Sequence, residues 1–350
     1  MSWDMIKGLR AALKGKGTAA SSIRNGIMMI LLLTCVFHLL SCSDGQQRYA
    51  WPLGTSSPDD TVTQLFAEKF AEEVARLSEG AMKIQVYPNS VVGGDRELLE
   101  SCKDGDIPFV VQNTAPQVTF MPDIAVFDLP VLFDSIAHVR RAVDNPAFLQ
   151  RISKVYEQGG YELLGFADQG FRVMTTNKQV QSMQDFHGQK IRTMENPYHL
   201  LFWKQLGANP TPMTFSEVYI GLQQGTIDAQ ENPYEVVVSN KLYEQQHYVV
   251  ETNHLPHLIS LIVSGKFMAK LPENQRQIIR QAAATAKVYA RQQSDERIAS
   301  RIKMIEASGT TIVPLSPAFK QEMRQLSEPV YQKIGEKVDS TLVRLYFREH

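Results

Sequence analysis

Cysteine is scarce, with three in 350 residues, so no disulfide framework can hold this chain and its fold has to rest on an apolar core. A hydrophobic share of 43% over that length suffices for about two domains. Charge of one sign is not in excess either: 36 Lys and Arg stand against 37 Asp and Glu. That balance gives no polybasic stripe for nucleic acid and no acidic solvating tail. Signatures of catalysis are also missing. There is no Gly-x-Ser-x-Gly elbow, no phosphate-cradling loop ending in Gly-Lys-Ser/Thr, no His-Glu-x-x-His and no Cys-x-x-Cys. These absences argue against an enzyme and give no reason to expect a cofactor. His254 and His257 lie three apart, but Pro256 between them disfavours the helix a metal pair would need, so they are expected to be surface or strand-edge histidines without a metal. No apolar run of about 18 residues follows Cys42, which excludes a fused membrane channel.

What is present begins at the N-terminus. Lys7, Arg10, Lys14, Lys16 and Arg24 precede an apolar run over residues 27–40, as in an export signal. The run falls short of the roughly 20 residues that span a bilayer as a helix. Leu39-Leu40-Ser41-Cys42 resembles a bacterial lipobox, which would make residues 1–41 a lipoprotein signal peptide, Cys42 the lipidated first residue and residues 42–47 a tether. A signal cleaved nearby, with Cys42 incidental, is the alternative. Under the first reading Cys35 leaves with the signal and only Cys102 remains in the folded part. The net charge then moves from −1 to about −5.

The rest of the chain alternates helix and strand. Residues 48–53 read as a strand, and Pro58 after a Ser57 cap as the start of an amphipathic helix of about six turns that Gly80 stops. Met82, Ile84 and Val86 alternate with polar neighbours as a half-buried strand. Residues 95–103 form a helix closed by Gly105, and residues 107–111 a buried strand. The same plan returns later: a helix over 215–224, Gly225, then a short strand reaching Asn232, as the first reaches Asn113. Two such units imply an α/β chain of two pseudo-equivalent lobes, each presenting a polar side chain at the carboxyl end of a strand, where open α/β sheets bind ligands. Residues 272–308 hold no internal Pro or Gly and would make a helix of roughly 55 Å, long enough to cross both lobes. A break at Ser294-Asp295 is the alternative.

A run of segments then resembles the solute-binding proteins of tripartite ATP-independent periplasmic (TRAP) transporters. They are Gly170-Phe171-Arg172 with Thr175-Thr176-Asn177, Phe186-His187-Gly188-Gln189-Lys190-Ile191-Arg192, residues 206–213, Phe215-Ser216-Glu217-Val218-Tyr219, and residues 228–233 ending Glu231-Asn232-Pro233. The likeness extends from Gly54-Thr55-Ser56-Ser57 through the long helix.

The resemblance implies a bilobal periplasmic-binding-protein fold, with lobe I in 48–169 plus 258–297 and lobe II in 170–257 plus 298–350. It implies a small carboxylate ligand, integral membrane subunits as partner, an extracytoplasmic location and no cofactor. It places the carboxylate clamp at Arg192, assisted by Arg172 and Asn232, with Phe215 lining the pocket and Asp95 facing the polar tail of the ligand. Asn113 stands where sialic-acid binders carry an acid, and Pro52 where they carry Asn, so a smaller acid is expected: a hydroxylated sugar acid first, a C4-dicarboxylate second. Glu195 adds an acceptor for hydroxyl hydrogens or for a cationic substituent, or else neutralises a nearby arginine. On the residues alone, a guanidinium fork binds carboxylate bidentately and keeps its charge at any relevant pH. A sensory receptor and a secreted enzyme acting on an acid are the alternative functions.

Overall fold

The computed structural model describes residues 50–348, so the signal, Cys42 and the tether lie outside the described residues. The chain opens with β1 (Trp51–Gly54), α1 (Val62–Leu77), β2 (Ile84–Tyr87), α2 (Asp95–Asp104) and β3 (Phe109–Asn113). After two 3₁₀ turns come α3 (Ile136–Asp144), α4 (Pro146–Gly159) and the long strand β4 (Tyr161–Phe171). Next follow β5 (Val173–Thr176), β6 (Lys190–Thr193), α5 (Pro197–Gln205), β7 (Asn209–Pro212), α6 (Val218–Gln223), β8 (Ala229–Asn232), α7 (Tyr234–Ser239) and β9 (Tyr248–Glu251). The remainder is β10 (Pro256–Ser264), α8 (Gly265–Met268), α9 (Glu273–Ala307), β11 (Thr311–Pro314), α10 (Pro317–Leu326), α11 (Glu328–Gly335) and α12 (Ser340–Phe347).

These strands build two sheets, ordered β2-β1-β3-β10-β4 and β11-β9-β5-β8-β6-β7. Each is parallel where helices connect its strands and antiparallel where the chain changes sheet: β10 runs against β3 and β4, and β5 runs against β8 and β9. The chain passes from the first sheet to the second at Arg172 and returns over residues 252–255. The two passages are joined by the Arg172 N–H, which donates to the Leu255 carbonyl at 2.8 Å. The third link is α9, unbroken at Ser294-Asp295 over its 35 residues. Its small buried Ala282, Ala283, Ala286 and Ala290 let it lie close on α1, where Phe66, Phe70 and Val74 point inward. Further along, Arg297 and Arg301 bridge Asp60, on the loop before α1, to Glu235 on α7, at 2.6 to 3.0 Å.

Several boundaries differ from the sequence expectation for local reasons. The first helix starts at Val62 rather than at Pro58, because Asp60 takes φ +58° and Thr61 is the cap, its hydroxyl accepting from the Gln64 N–H at 3.2 Å. It therefore has 16 residues, fewer than the six turns expected. β3 lies two residues later than expected and ends at Asn113 itself. α12 packs on α3 and α4, with Tyr346 stacked on Phe148, so the last helix joins the helices of the first sheet although residues 298–350 were expected with lobe II. Among the described residues no helix is long and apolar enough to cross a membrane.

Candidate functional site

The carboxyl ends of β1, β3, β6 and β8 converge on a space between the two sheets. Its inner part is lined by Ser56, Ser57, Pro58, Asp95, Asn113 and His257 from one side and by Arg192, Met194, Phe215, Asn232 and Val236 from the other. An outer part shares Ser56, Asp95, Arg192, Met194 and Phe215 and adds Glu195, Arg96 and Glu97. Close packing makes this approach possible: a side chain at Gly54, where β1 ends, would run into Leu98 of α2.

Arg192 is the dominant group. It occupies the third position of β6, whose partner β7 leads straight to Met213, and the Met213 carbonyl accepts from Nε at 2.9 Å and from Nη2 at 2.7 Å. This double contact fixes the plane of the guanidinium, which lies 5.8 Å from the Phe215 ring centroid. The side chain is only 2% exposed, and among the described residues no carboxylate pairs with it. Burial pulls its pKa down to about 10, which leaves it charged at neutral pH. A buried cation with no carboxylate in contact is costly; Glu231 and Asp95 offset that only from a distance, and a ligand anion brought into contact lowers the cost further.

Arg172 is placed differently from its expected role. It is 1% exposed and does not line the cavity. Nε and Nη2 are held by the Glu231 carboxylate, with Nη2 to Oε1 at 2.8 Å. Nη2 also donates to the Asn232 Oδ1 at 3.2 Å, and Nη1 to His257 Nδ1. Glu231 accepts in addition from His254 Nε2 at 3.0 Å, and Thr252 Oγ1 faces the other His254 nitrogen at 2.9 Å. Arg172 and His254 hold the Glu231 carboxyl far below the usual carboxylate range in spite of its burial. The structure thus corrects the reading of His254 and His257: both are buried, at 1% and 5% exposure, and belong to the network at the sheet crossings. No metal arrangement is formed, since among the described residues no group of three or more His, Cys, Asp or Glu could hold an ion.

The other expected residues do meet at the cavity. Asn113 anchors its amide on the backbone, Nδ2 donating to Leu258 O and Oδ1 accepting from Ala115 N, both at 2.9 Å. Asn232 donates from Nδ2 to Gln230 at 2.7 Å. Asp95 opens α2, and its Oδ1 accepts from the Ser56 hydroxyl at 2.5 Å. Burial raises its pKa, opposed first by Ser56 and then by Arg192. Glu195 reaches only the outer part. Sequence reasoning missed Ser56 and His257 as lining residues and Glu231 as the partner of Arg172. Glu231 stood inside the 228–233 segment, but nothing local shows that it faces a residue 59 positions earlier.

The network has a pH consequence. Burial pushes His254 and His257 below their usual range, so the folded state holds them neutral. The unfolded chain binds their protons from about pH 6.5 downward, so the stability they contribute is present above that pH and is lost as pH falls toward their folded values. Each histidine steepens the loss by at most about 1.4 kcal/mol per pH unit. The unfolding midpoint is therefore expected to hold steady above neutral pH and to drop in mild acid, less steeply in His257→Gln. A flat midpoint through mild acid contradicts this.

The family model for bacterial extracellular solute-binding protein, family 7, matches residues 53–338. A solute-binding protein of Roseobacter denitrificans is 30% identical over 314 residues, covering 90% of this chain and 96% of the relative. A sugar acid binding protein of Advenella mimigardefordensis, solved in complex with galactonate, superposes with a TM-score of 0.82 at 28% identity, covering 87% of this chain and 98% of that one. A TRAP periplasmic solute-binding protein of Shewanella oneidensis, solved with bound succinate, gives 0.83 at 27% identity, with 87% and 99% covered.

Proposed function

The chain belongs to the bacterial extracellular solute-binding proteins of family 7, and we propose that it captures a small organic acid outside the cytoplasm and delivers it to the membrane subunits of a TRAP-type transporter. In this reading the ligand carboxylate lies on Arg192, with Asn232, Asn113 and Phe215 shaping the site, Asp95 and Glu195 taking hydroxyl hydrogens, and Arg172 supporting from behind. A sugar acid comes first and a C4-dicarboxylate second; the two solved relatives carry one of each, galactonate and succinate. The single observation that carries the proposal is a buried, oriented Arg192 with no protein carboxylate in contact, at the strand ends where two sheets face each other. The lobes are 48–169 plus 258–297 and 170–257 plus 298–350, with α12 docked back on the first, and the crossings at Arg172 and 252–255 act as the hinge. Cys42 carries the lipid that keeps the receptor at the membrane. The protein binds and releases its ligand unchanged.

A thermal-shift screen tests this reading. A ligand that binds only the folded state stabilises it by about 2.7 kcal/mol at a hundred times its dissociation constant. An acid from a panel of aldonates and C4 acids is expected to raise the midpoint, while the matching neutral alditols leave it in place. Equal shifts with the neutral compounds, or none with any acid, would overturn the carboxylate reading.

A further inference from the structure

We propose that the cavity accepts one carboxylate and rejects a second, so that the ligand is a hydroxylated monocarboxylate whose charged end lies on Arg192 and whose hydroxyl-bearing tail meets Asp95. This deepens the function proposed above and rests on it. The argument starts from a count of usable cations. The two arginines of the Gly170-Phe171-Arg172 and Lys190-Ile191-Arg192 segments look alike in the sequence, and a dicarboxylate would suit a site that offered both. The structure makes them unequal. Arg172 gives Nε and Nη2 to the Glu231 carboxylate and Nη1 to His257, so its charge is already paired and each of its three nitrogens is engaged. Arg192 is the one cation lining the inner cavity among the described residues.

The groups opposite Arg192 fit hydroxyls. A guanidinium can only donate, so the contact with Arg172 makes His257 Nδ1 an acceptor and assigns the ring proton to Nε2. His257 is thus a neutral donor, which a hydroxyl or a carboxylate oxygen can use but which supplies a second carboxylate with no opposite charge. Asp95 receives the Ser56 hydroxyl and, among the described residues, no cation pairs with it. Its free oxygen can accept a ligand hydroxyl, and a carboxylate brought there meets another carboxyl group and no cation in contact. The other cation nearby, Arg96, sits on the outer rim, more than half exposed and paired with Glu100 at 3.2 Å. Glu97 and Glu195 line the same rim, so the outer space offers a second carboxylate no net attraction.

Matched acids that differ only in the far end test the inference: galactonate against galactarate, erythronate against meso-tartrate, and 4-hydroxybutyrate against succinate. Dissociation constants are measured by calorimetry on the parent, Asp95→Asn and Arg192→Gln. In every pair that binds, the monocarboxylate is expected to bind the parent about a hundredfold more tightly. Asp95→Asn, which keeps the shape and the acceptor for Ser56, is expected to narrow that ratio at least tenfold by strengthening the diacid. A diacid that binds the parent as well as its partner, through Arg192, overturns the inference and leaves the carboxylate function standing. So does a ratio that Asp95→Asn does not move. The parental ratio alone decides the matter if the variant fails to fold. Binding that survives in Arg192→Gln, or no binding by any of the six acids, overturns both readings.

Discussion

Replacing Glu231 with Gln is expected to cost the folded chain about 3 to 5 kcal/mol, the range seen when one partner of a buried ion pair is removed. The pair lies at the crossing of the two sheets, with Arg172 and Glu231 both at most 1% exposed. Glutamine keeps the volume and some hydrogen bonds but leaves the Arg172 charge buried without compensation, and His254 loses its acceptor as well. Denaturant unfolding reads the loss as a shift of the midpoint with an unchanged slope. The double replacement Arg172→Met with Glu231→Leu is expected to be less damaging than Glu231→Gln alone, because no unpaired charge remains. A single replacement costing under about 1 kcal/mol would mean that the pair is solvated and does not bind the crossings together.

Arg192 is expected to behave in the opposite way. Arg192→Gln removes the cation from the cavity, and each charge-assisted hydrogen bond lost to a carboxylate is worth about 1.5 to 3 kcal/mol. Two such bonds amount to at least a hundredfold weaker binding by calorimetry, at about 1.4 kcal/mol per tenfold. Stability, however, should change far less than in Glu231→Gln, because no protein carboxylate is in contact with Arg192 and Glu231 and Asp95 act on it only at longer range. Arg192→Lys should rescue little, since an ammonium lacks the planar fork that Met213 orients. Loss of binding together with a comparable loss of stability would instead make Arg192 a structural group.

The contrast between these two arginines shows what the sequence carried and what it hid. Residues 272–308 read directly as one helix, because freedom from Pro and Gly is a local property, and α9 follows it within a residue at each end. The helix, glycine and strand leading to Asn113 and to Asn232 were legible for the same reason, with Gly105 taking the left-handed φ of +93° that ends α2. The antiparallel placement of β5 and β10 was not legible, since it follows from where the chain changes sheet. Arg192 stood out through likeness to a family, not through its neighbours. That Arg172 turns away from the cavity depends on Glu231 and His257, 59 and 85 positions away, and no periodicity records such a contact. His254 and His257 were read as surface or strand-edge groups because the Pro256 between them rightly excluded a helix. A buried connection running into β10, with His254 before the strand and His257 as its second residue, satisfies the same constraint.

The most direct test of the account is a crystal structure of the protein with a bound aldonate, in which the position of the carboxylate is measured against the Arg192 guanidinium. The account predicts both carboxylate oxygens within about 3 Å of Arg192 nitrogens and the hydroxyl tail turned toward Asp95 and Ser56. A ligand bound with its carboxylate away from Arg192, or drawn to Arg172 in place of Glu231, would contradict it.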